Sequence, residues 1–341
     1  MSAPIGNKNS IPPIRLGLAG PQRVSQLGLG CMAMSSMYGE ADVAKCVATI
    51  HAALDAGITM IDTGDFYGSG DNEMLIGQAL KHRRSDALLS VKFGALRTPD
   101  GGWSGVDGRP VAVKNFLTYS LKRLGTDHID IYRLARLDAT VPIEDTIGAM
   151  AEMVRAGYVR YIGLSEVGIE TIRRAHAVHP VCDLQIEYSL ISRGPEEKIF
   201  PVLRELGIGV TAYGVLSRGL LAGSQPLGKH DLRAHMPRFA EENATQNRAL
   251  FGVFQALSRE LQVTPVQLAI GWVLAKAKRA SLDLVALTGA RTLEQLEASI
   301  SALAVTLDDD AIRRIEQAIP IGSAAGSRYA PAQMAHLDSE K

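Results

Sequence analysis

Cysteine is scarce in this chain: Cys31, Cys46 and Cys182 are odd in number and far apart. That pattern excludes a disulfide framework and points to reduced thiols in a cytoplasmic setting. Aromatic side chains make up only 5% of the chain against 46% apolar residues, which suits a core of Ala, Val, Ile and Leu in packed helices and parallel strands. An excess of one charge is also missing, because 36 basic and 36 acidic side chains cancel. No global field then draws the protein to nucleic acid or to an anionic membrane, and any anion must be held locally. The stretch from Met1 to Pro13 is polar and proline-bearing, so it is read as neither signal peptide nor anchor.

Familiar catalytic strings are absent too. No CxxC, HExxH, GxSxG, Walker loop or Tyr-xxx-Lys pair occurs, which moves metalloproteases, serine hydrolases, P-loop enzymes and short-chain dehydrogenases out of the front rank, and no metal site is expected. Gly28-Leu29-Gly30-Cys31-Met32-Ala33 fits a dinucleotide fingerprint, but a loop through Tyr38-Gly39 separates it from the next helix. No helix amino terminus would meet a phosphate there. His51, His82 and His176 lie on the polar sides or ends of helical segments and read as surface residues.

What the chain does have is a repeat of short apolar strands and amphipathic helices. The pairs are 26–32 with 42–56, 58–62 with 73–81, 87–92 with 112–124, 130–134 with 143–155, 158–165 with 169–177, 184–188 with 196–206, 209–213 with 246–261, and 284–288 with 293–303. Eight such units predict an α/β fold of the (β/α)8 TIM barrel type, with residues 1–341 as one domain and a core of about 15–320. Ahead of them, 15–18 and 23–25 flank the turn signal Ala19-Gly20-Pro21, predicting a β-hairpin placed to plug the amino-terminal mouth. Rim loops are expected at 95–110 and 222–245, and a carboxyl-terminal helix and tail at 321–341.

Asp62, Tyr67 and Lys92 stand out chemically. Asp62 and Lys92 each end a strand-like run where a buried strand should stay apolar, and in such barrels sites are built at the carboxyl ends of strands. A phenol of pKa about 10 holds its proton at neutral pH and can give it to a forming alkoxide. An adjacent ammonium favours the phenolate, and a carboxylate keeps that ammonium charged. The alternative is a structural ion pair inside the barrel with an unrelated tyrosine beside it.

The hairpin followed by Leu27-Gly28-Leu29-Gly30-Cys31-Met32, the Asp62/Tyr67/Lys92 set, Ile162-Gly163-Leu164-Ser165, Gln185-Ile186-Glu187-Tyr188 and Ala212-Tyr213 together resemble the aldo-keto reductases from about Arg15 to Leu337. The resemblance implies an NADPH-dependent oxidoreductase that reduces an aldehyde or ketone without a metal, with Asp62, Tyr67 and Lys92 catalytic. It also implies cofactor contacts from Gly30, Cys31, Met32 and Asp62, with Ser165 and Gln185 on the nicotinamide carboxamide and Tyr213 stacked on its ring. By the same resemblance Gly214, Val215, Leu216, Ser217, Arg218, Gly219 and Leu220 would cradle the pyrophosphate, and Gly289, Ala290, Arg291 and Gln295 would grip the 2'-phosphate. Asp231 to Asn247 and the tail from Ser327 to Asp338 resemble the bacterial and plant branch.

Departures from the pattern matter equally. Ala135 occupies the place of the family's strand-four histidine, so the usual donor to the substrate carbonyl is gone, and Arg133, Arg136 or a water in the space left by the imidazole is the expected substitute. A similar Ala-Arg pair in reductases acting on pyridoxal makes a pyridoxal-type aldehyde one candidate substrate. Ala298 and Ser299, where Glu-Asn is common, imply looser adenine contacts. A second functional class follows from the missing histidine: a weakly active or non-catalytic NADP(H)-binding regulatory subunit. The expected partner is a small carbonyl compound. Tyr38, Phe66, Trp103 and the tail are expected to shape its pocket, and homo-oligomerisation stays open.

Overall fold

The computed structural model describes residues 11–229 and 231–341. In chain order it contains β1 (Pro13–Ile14), β2 (Val24–Ser25), β3 (Leu27–Gly30), α1 (Val43–Asp55), β4 (Met60–Gly64), α2 (Asp71–Leu80), β5 (Leu88–Phe93), β6 (Ala95–Arg97), β7 (Trp103–Val106), α3 (Pro110–Leu124), β8 (Ile129–Leu134) and α4 (Ile143–Arg155). There follow β9 (Val159–Ser165), α5 (Ile169–Val178), β10 (Val181–Glu187), α6 (Ile199–Leu206), β11 (Gly209–Tyr213), α7 (Glu241–Glu260), α8 (Pro265–Arg279), β12 (Leu284–Gly289), α9 (Leu293–Ser301), α10 (Asp309–Ala318) and α11 (Pro331–Met334). Strands β3, β4, β5, β8, β9, β10, β11 and β12 close into a barrel. All its pairings are parallel, and the seam sets Ala286 opposite Leu27 and Gly289 opposite Gly30. This is the (β/α)8 architecture that the strand–helix repeat predicts.

Local chemistry explains the boundaries. The α1 helix starts where the Asp42 carboxylate accepts from Lys45 N, satisfying an amide that has no partner inside the helix. The α3 helix begins on Pro110 and stops at Gly125, whose φ of +63° is left-handed, the usual proline-first, glycine-last arrangement.

The structure corrects several expected elements. The hairpin pairs Pro13–Ile14 with Val24–Ser25, not 15–18 with 23–25. Residues 16–18 instead turn under the barrel, with Leu18 N donating to Gly207 O at 2.7 Å. Leu16 and Val24 pack there with Met60, Ile131, Cys182, Val285 and Leu287, so the hairpin does close the amino-terminal mouth. The first strand stops at Gly30, and Cys31 leads into a 3-10 turn at Met32–Ser35. The loop expected at 95–110 contains the antiparallel pair β6–β7. The helix expected at 246–261 begins at Glu241, and α8 was not anticipated: Thr264 and Gln267 form a reciprocal cap around Pro265, a start signal legible in Thr-Pro-Val-Gln.

Candidate active site

Strands β4, β5, β8, β9, β10 and β11 deliver one polar side chain each, or more, to the carboxyl-terminal mouth. Asp62, buried on β4, is the hub. Its Oδ1 accepts from Lys92 Nζ at 2.5 Å, and its Oδ2 accepts from Ser90 Oγ at 2.7 Å, Gln185 Nε2 at 2.8 Å and Arg133 Nη1 at 3.3 Å. Registers explain the convergence: Asp62 lies opposite Ser90, and Lys92 opposite Arg133.

Tyr67 follows β4 in a turn whose next residues, Gly68, Ser69 and Gly70, have φ of +56°, +53° and +107°. At Gly70 a side chain would also meet Arg123 Cδ at 2.8 Å, so the turn requires glycine there. Thr63 Oγ1 donates to Asn72 Oδ1 at 2.6 Å and Asn72 Nδ2 to Cys31 O at 2.8 Å, tying the turn to the end of β3. The phenol ring rests with its centroid 5.1 Å from Lys92 Nζ and stacks edge-on against Phe66 at 4.8 Å. Asp62, Lys92 and Tyr67 are therefore brought together, as the sequence leads one to expect.

Electrostatics sharpen the picture. Burial, reinforced by Asp62 and by the tyrosines at positions 329 and 38, pushes the Tyr67 phenol well above its ordinary value, with Arg136 acting the other way. That is the reverse of the lowering expected from Lys92, and it leaves Tyr67 a firmly protonated acid at neutral pH. Lys92 is lowered by burial, Asp62 opposing this, while Arg133 and Arg136 lower it further.

Arg133 does not face the substrate side. It is fully buried, donates to Asp183 Oδ2 at 2.5 Å and to Ser90 Oγ, and reaches Asp62. Its charge is used beneath the site, which removes it as the replacement for the missing histidine. Arg136 stands at the rim, donating to Ala135 O at 2.6 Å and lying 3.5 Å from Ser165 Oγ. It forms no ion pair among the described residues.

The residues expected to hold a cofactor line one continuous edge of the mouth. Gly30 and Gly289 face each other across the seam, and Met32 is half-buried, but Cys31 is fully buried with Sγ toward Leu29 O. Ser165 ends β9 opposite Gln185 of β10, and the half-buried Tyr213 ends β11 opposite Glu187. In the run Gly214, Val215, Leu216, Ser217, Arg218, Gly219, Leu220, the residues Ser217, Arg218 and Gly219 have φ of +47°, +57° and +95°. Successive left-handed residues curve the main chain into an anion-receptive turn. Arg218 Nη2 is buried there without a hydrogen-bond partner, 3.6 Å from Glu187 Oε2, so this loop fits a pyrophosphate.

Arg291 leads into α9, where Thr292 caps Gln295 N, and its guanidinium donates to the carbonyls of Tyr38, Gly39 and Glu40 at 3.1–3.2 Å. Ala290 is buried behind it. Ser299 does not reach the surface: it is buried and its hydroxyl donates to Gln295 O at 3.0 Å. It therefore offers no contact for an adenine in this arrangement.

A carboxyl-terminal latch completes the rim, and its acceptor, Glu166, was not anticipated. Arg328 grips Glu166 through two bonds of 2.9 and 2.7 Å, Ser339 Oγ adds a third at 2.6 Å, and the Tyr329 hydroxyl lies 2.9 Å from that of Tyr213. Although burial alone would raise it, the Arg328 guanidinium holds the Glu166 carboxyl down to about 2. The signal lay in a glutamate directly after Ser165 at a strand end. Tyr38 meets Arg218 at 3.2 Å, whereas Trp103 is partly exposed on β7.

Residues 26–320 match the model of the Aldo/keto reductase family. The chain is 40% identical over 327 residues to probable aldo-keto reductase 1 of Glycine max, a match spanning 94% of this chain and 92% of that protein. Among solved structures it resembles a glycerol dehydrogenase from Gluconobacter oxydans (27% identity, 91% of this chain and 95% of that one, TM-score 0.78). It also resembles an aldo-keto reductase from Bacillus halodurans in its holo form (30% identity, 91% and 96%, TM-score 0.74). The chain belongs to the aldo/keto reductase family, whose members are oxidoreductases that act on carbonyl groups with nicotinamide cofactors. No helix among the described residues is long and apolar enough to cross a membrane.

Proposed function

We propose that this protein reduces an aldehyde or ketone to an alcohol with NADPH, Tyr67 giving the proton. The observation that carries the reading is the Asp62 carboxylate, which holds Lys92 Nζ at 2.5 Å beneath the Tyr67 ring and Gln185 on its other oxygen. When bound, the nicotinamide supplies the hydride. The protein's own part is to orient and to protonate: Ser165 and Gln185 would hold the carboxamide, Tyr213 would support the ring, the turn from Gly214 to Leu220 would take the pyrophosphate and Arg291 the 2'-phosphate. As the substrate oxygen gains charge, the phenol O–H would break toward it and the Lys92 ammonium would steady the phenolate.

Arg136 would take the part of the absent histidine. Its guanidinium stands beside Ala135 and forms no ion pair among the described residues; Glu166, which acts on it from farther off, is already gripped by Arg328, and a fixed cation there stabilises charge on the carbonyl oxygen as it develops. A pyridoxal-type aldehyde is one substrate to include in a screen. The regulatory alternative has no use for a protonated tyrosine above a buried lysine.

The test follows cofactor absorbance while the protein is mixed with NADPH and a panel of aldehydes and ketones. Turnover is expected, and Tyr67→Phe should lower it by about 10²–10⁴. Arg136→Met should lower kcat/KM by about 10²–10³. Tight NADPH binding with no turnover on any carbonyl would move the protein to the regulatory class.

A further inference from the structure

Arg133, next to last on β8, and Asp183, in the first half of β10, are buried charged residues on barrel strands, where an apolar filling would serve packing as well. Both are fully buried. Arg133 Nη2 bonds Asp183 Oδ2 at 2.5 Å, Thr211 Oγ1 bonds the same oxygen at 2.5 Å, and Arg133 Nη1 reaches Ser90 Oγ and Asp62 Oδ2. Gly163 leaves room for this: a side chain there would meet Asp183 Oδ1 at 2.7 Å and Arg133 Nε at 3.0 Å. Four charges, alternating in sign from Asp183 through Arg133 and Asp62 to Lys92, thus cross the barrel beneath Tyr67.

A buried pair of this kind rarely adds net stability over an apolar pair of similar size, so its reason lies in what it does to its neighbours. We propose that Arg133, locked in place by Asp183, is a positioning residue that shares the Asp62 carboxylate with Lys92 and so makes the Lys92 ammonium a readier proton source for the tyrosine above it. The inference rests on the reading of Tyr67 and Lys92 as the proton-delivery set.

The sign follows from order. Arg133 contacts the carboxylate that Lys92 uses, while Asp183 stands behind Arg133 on the far side. The nearer cation outweighs the farther anion, so the net effect on Lys92 favours proton loss. Burial of Lys92 pushes in the same direction, Asp62 opposes it, and Arg136 at the rim adds to it. The other titratable groups facing this network are Tyr67 after β4, Cys31 after β3 and Cys182 on β10, whose thiols burial keeps protonated.

The test replaces both charges at once, Arg133→Leu with Asp183→Val, so that no buried ion is orphaned. Arg133→Gln with Asp183→Asn serves as a second pair should the apolar pair not fold. Protein carrying 13C at lysine Cε is titrated by NMR, with Lys92→Met identifying the Lys92 signal. Lys92 is expected to titrate about one pH unit higher in the double variant than in the unaltered chain, and the basic limb of carbonyl reduction should move with it.

A pair with only a structural role would change stability and leave that titration in place, which would overturn the proposal, as would a shift to lower pH. The two readings fail separately. A shifted titration without turnover on any carbonyl would end the reductase reading and keep the charge coupling. Turnover with an unmoved Lys92 would do the opposite.

Discussion

The two mouths of one barrel serve opposite ends. At the amino-terminal mouth Leu16, Val24, Met60, Ile131, Cys182, Val285 and Leu287 make a small apolar seal. At the other end β4, β5, β8, β9, β10 and β11 carry Asp62, Ser90, Lys92, Arg133, Ser165, Gln185 and Tyr213, nearly all buried and many joined by hydrogen bonds. An apolar seal stabilises without direction, whereas a polar cluster costs desolvation and is kept only where each charge has a partner. Perturbing the first should therefore cost stability alone, and perturbing the second both stability and chemistry.

The largest effect is expected at Asp62. It serves four donors, two of them cationic, so Asp62→Ala leaves Lys92 and Arg133 short of a buried counter-charge. A loss of about 3–5 kcal/mol in a urea titration is expected, together with loss of turnover. A stability within 1 kcal/mol of the unaltered chain would mean that these cations find other partners, and the polar mouth would then be less tightly coupled than its geometry implies.

A smaller and purely structural loss is expected at the seal. Gly17 has φ of +73°, and a Cβ there would meet Cys182 O at 2.2 Å and Gly209 N at 2.8 Å. Gly17→Ala combines a left-handed backbone with a main-chain clash, and should destabilise by about 2–3 kcal/mol. The kcat/KM of the protein that remains folded should not change. A changed kcat/KM would show that the two ends communicate, against the division drawn above.

The barrel was legible because its signals are local and repeated: alternating strand and helix periods, a charge at the end of 58–62, another at the end of 87–92. The proximity of Asp62, Lys92 and Tyr67 was legible for the same reason, since a charged residue closing an apolar strand has few explanations. What escaped depends on direction and distance. Strand alternation puts Arg133 on the same side as Ala135, but not at the same depth, and only the position of Asp183 two strands away, beyond Gly163, shows that the guanidinium is spent below the site. The α8 helix escaped although its cap is written in Thr264 and Gln267, because its length was absorbed into the stretch between two expected elements. Glu166 escaped because its partner, Arg328, lies 162 residues away.

That distant pair offers the mildest way to test the comparison, through pH. Glu166 is fully buried, its Oε atoms take Arg328, Ser339, Tyr213 Oη and Glu187 N, and it is held down to about 2 against an ordinary 4.5. A carboxyl lowered on folding contributes stability that is fully present above its unfolded value and is lost as pH falls through the folded one. The window is therefore from about pH 4.5 down to about 2, and between pH 7 and pH 3 the loss from this group is about 2 kcal/mol. Glu166→Gln removes the titration while leaving Arg328 its contact with Glu340 at 2.5 Å. Its urea midpoint should start lower at pH 7 and fall less on acidification than that of the unaltered chain. Parallel acid limbs for the two proteins would mean that the latch carries no charge-dependent stability, and that the tail is held over Tyr213 by packing in the manner of the opposite mouth.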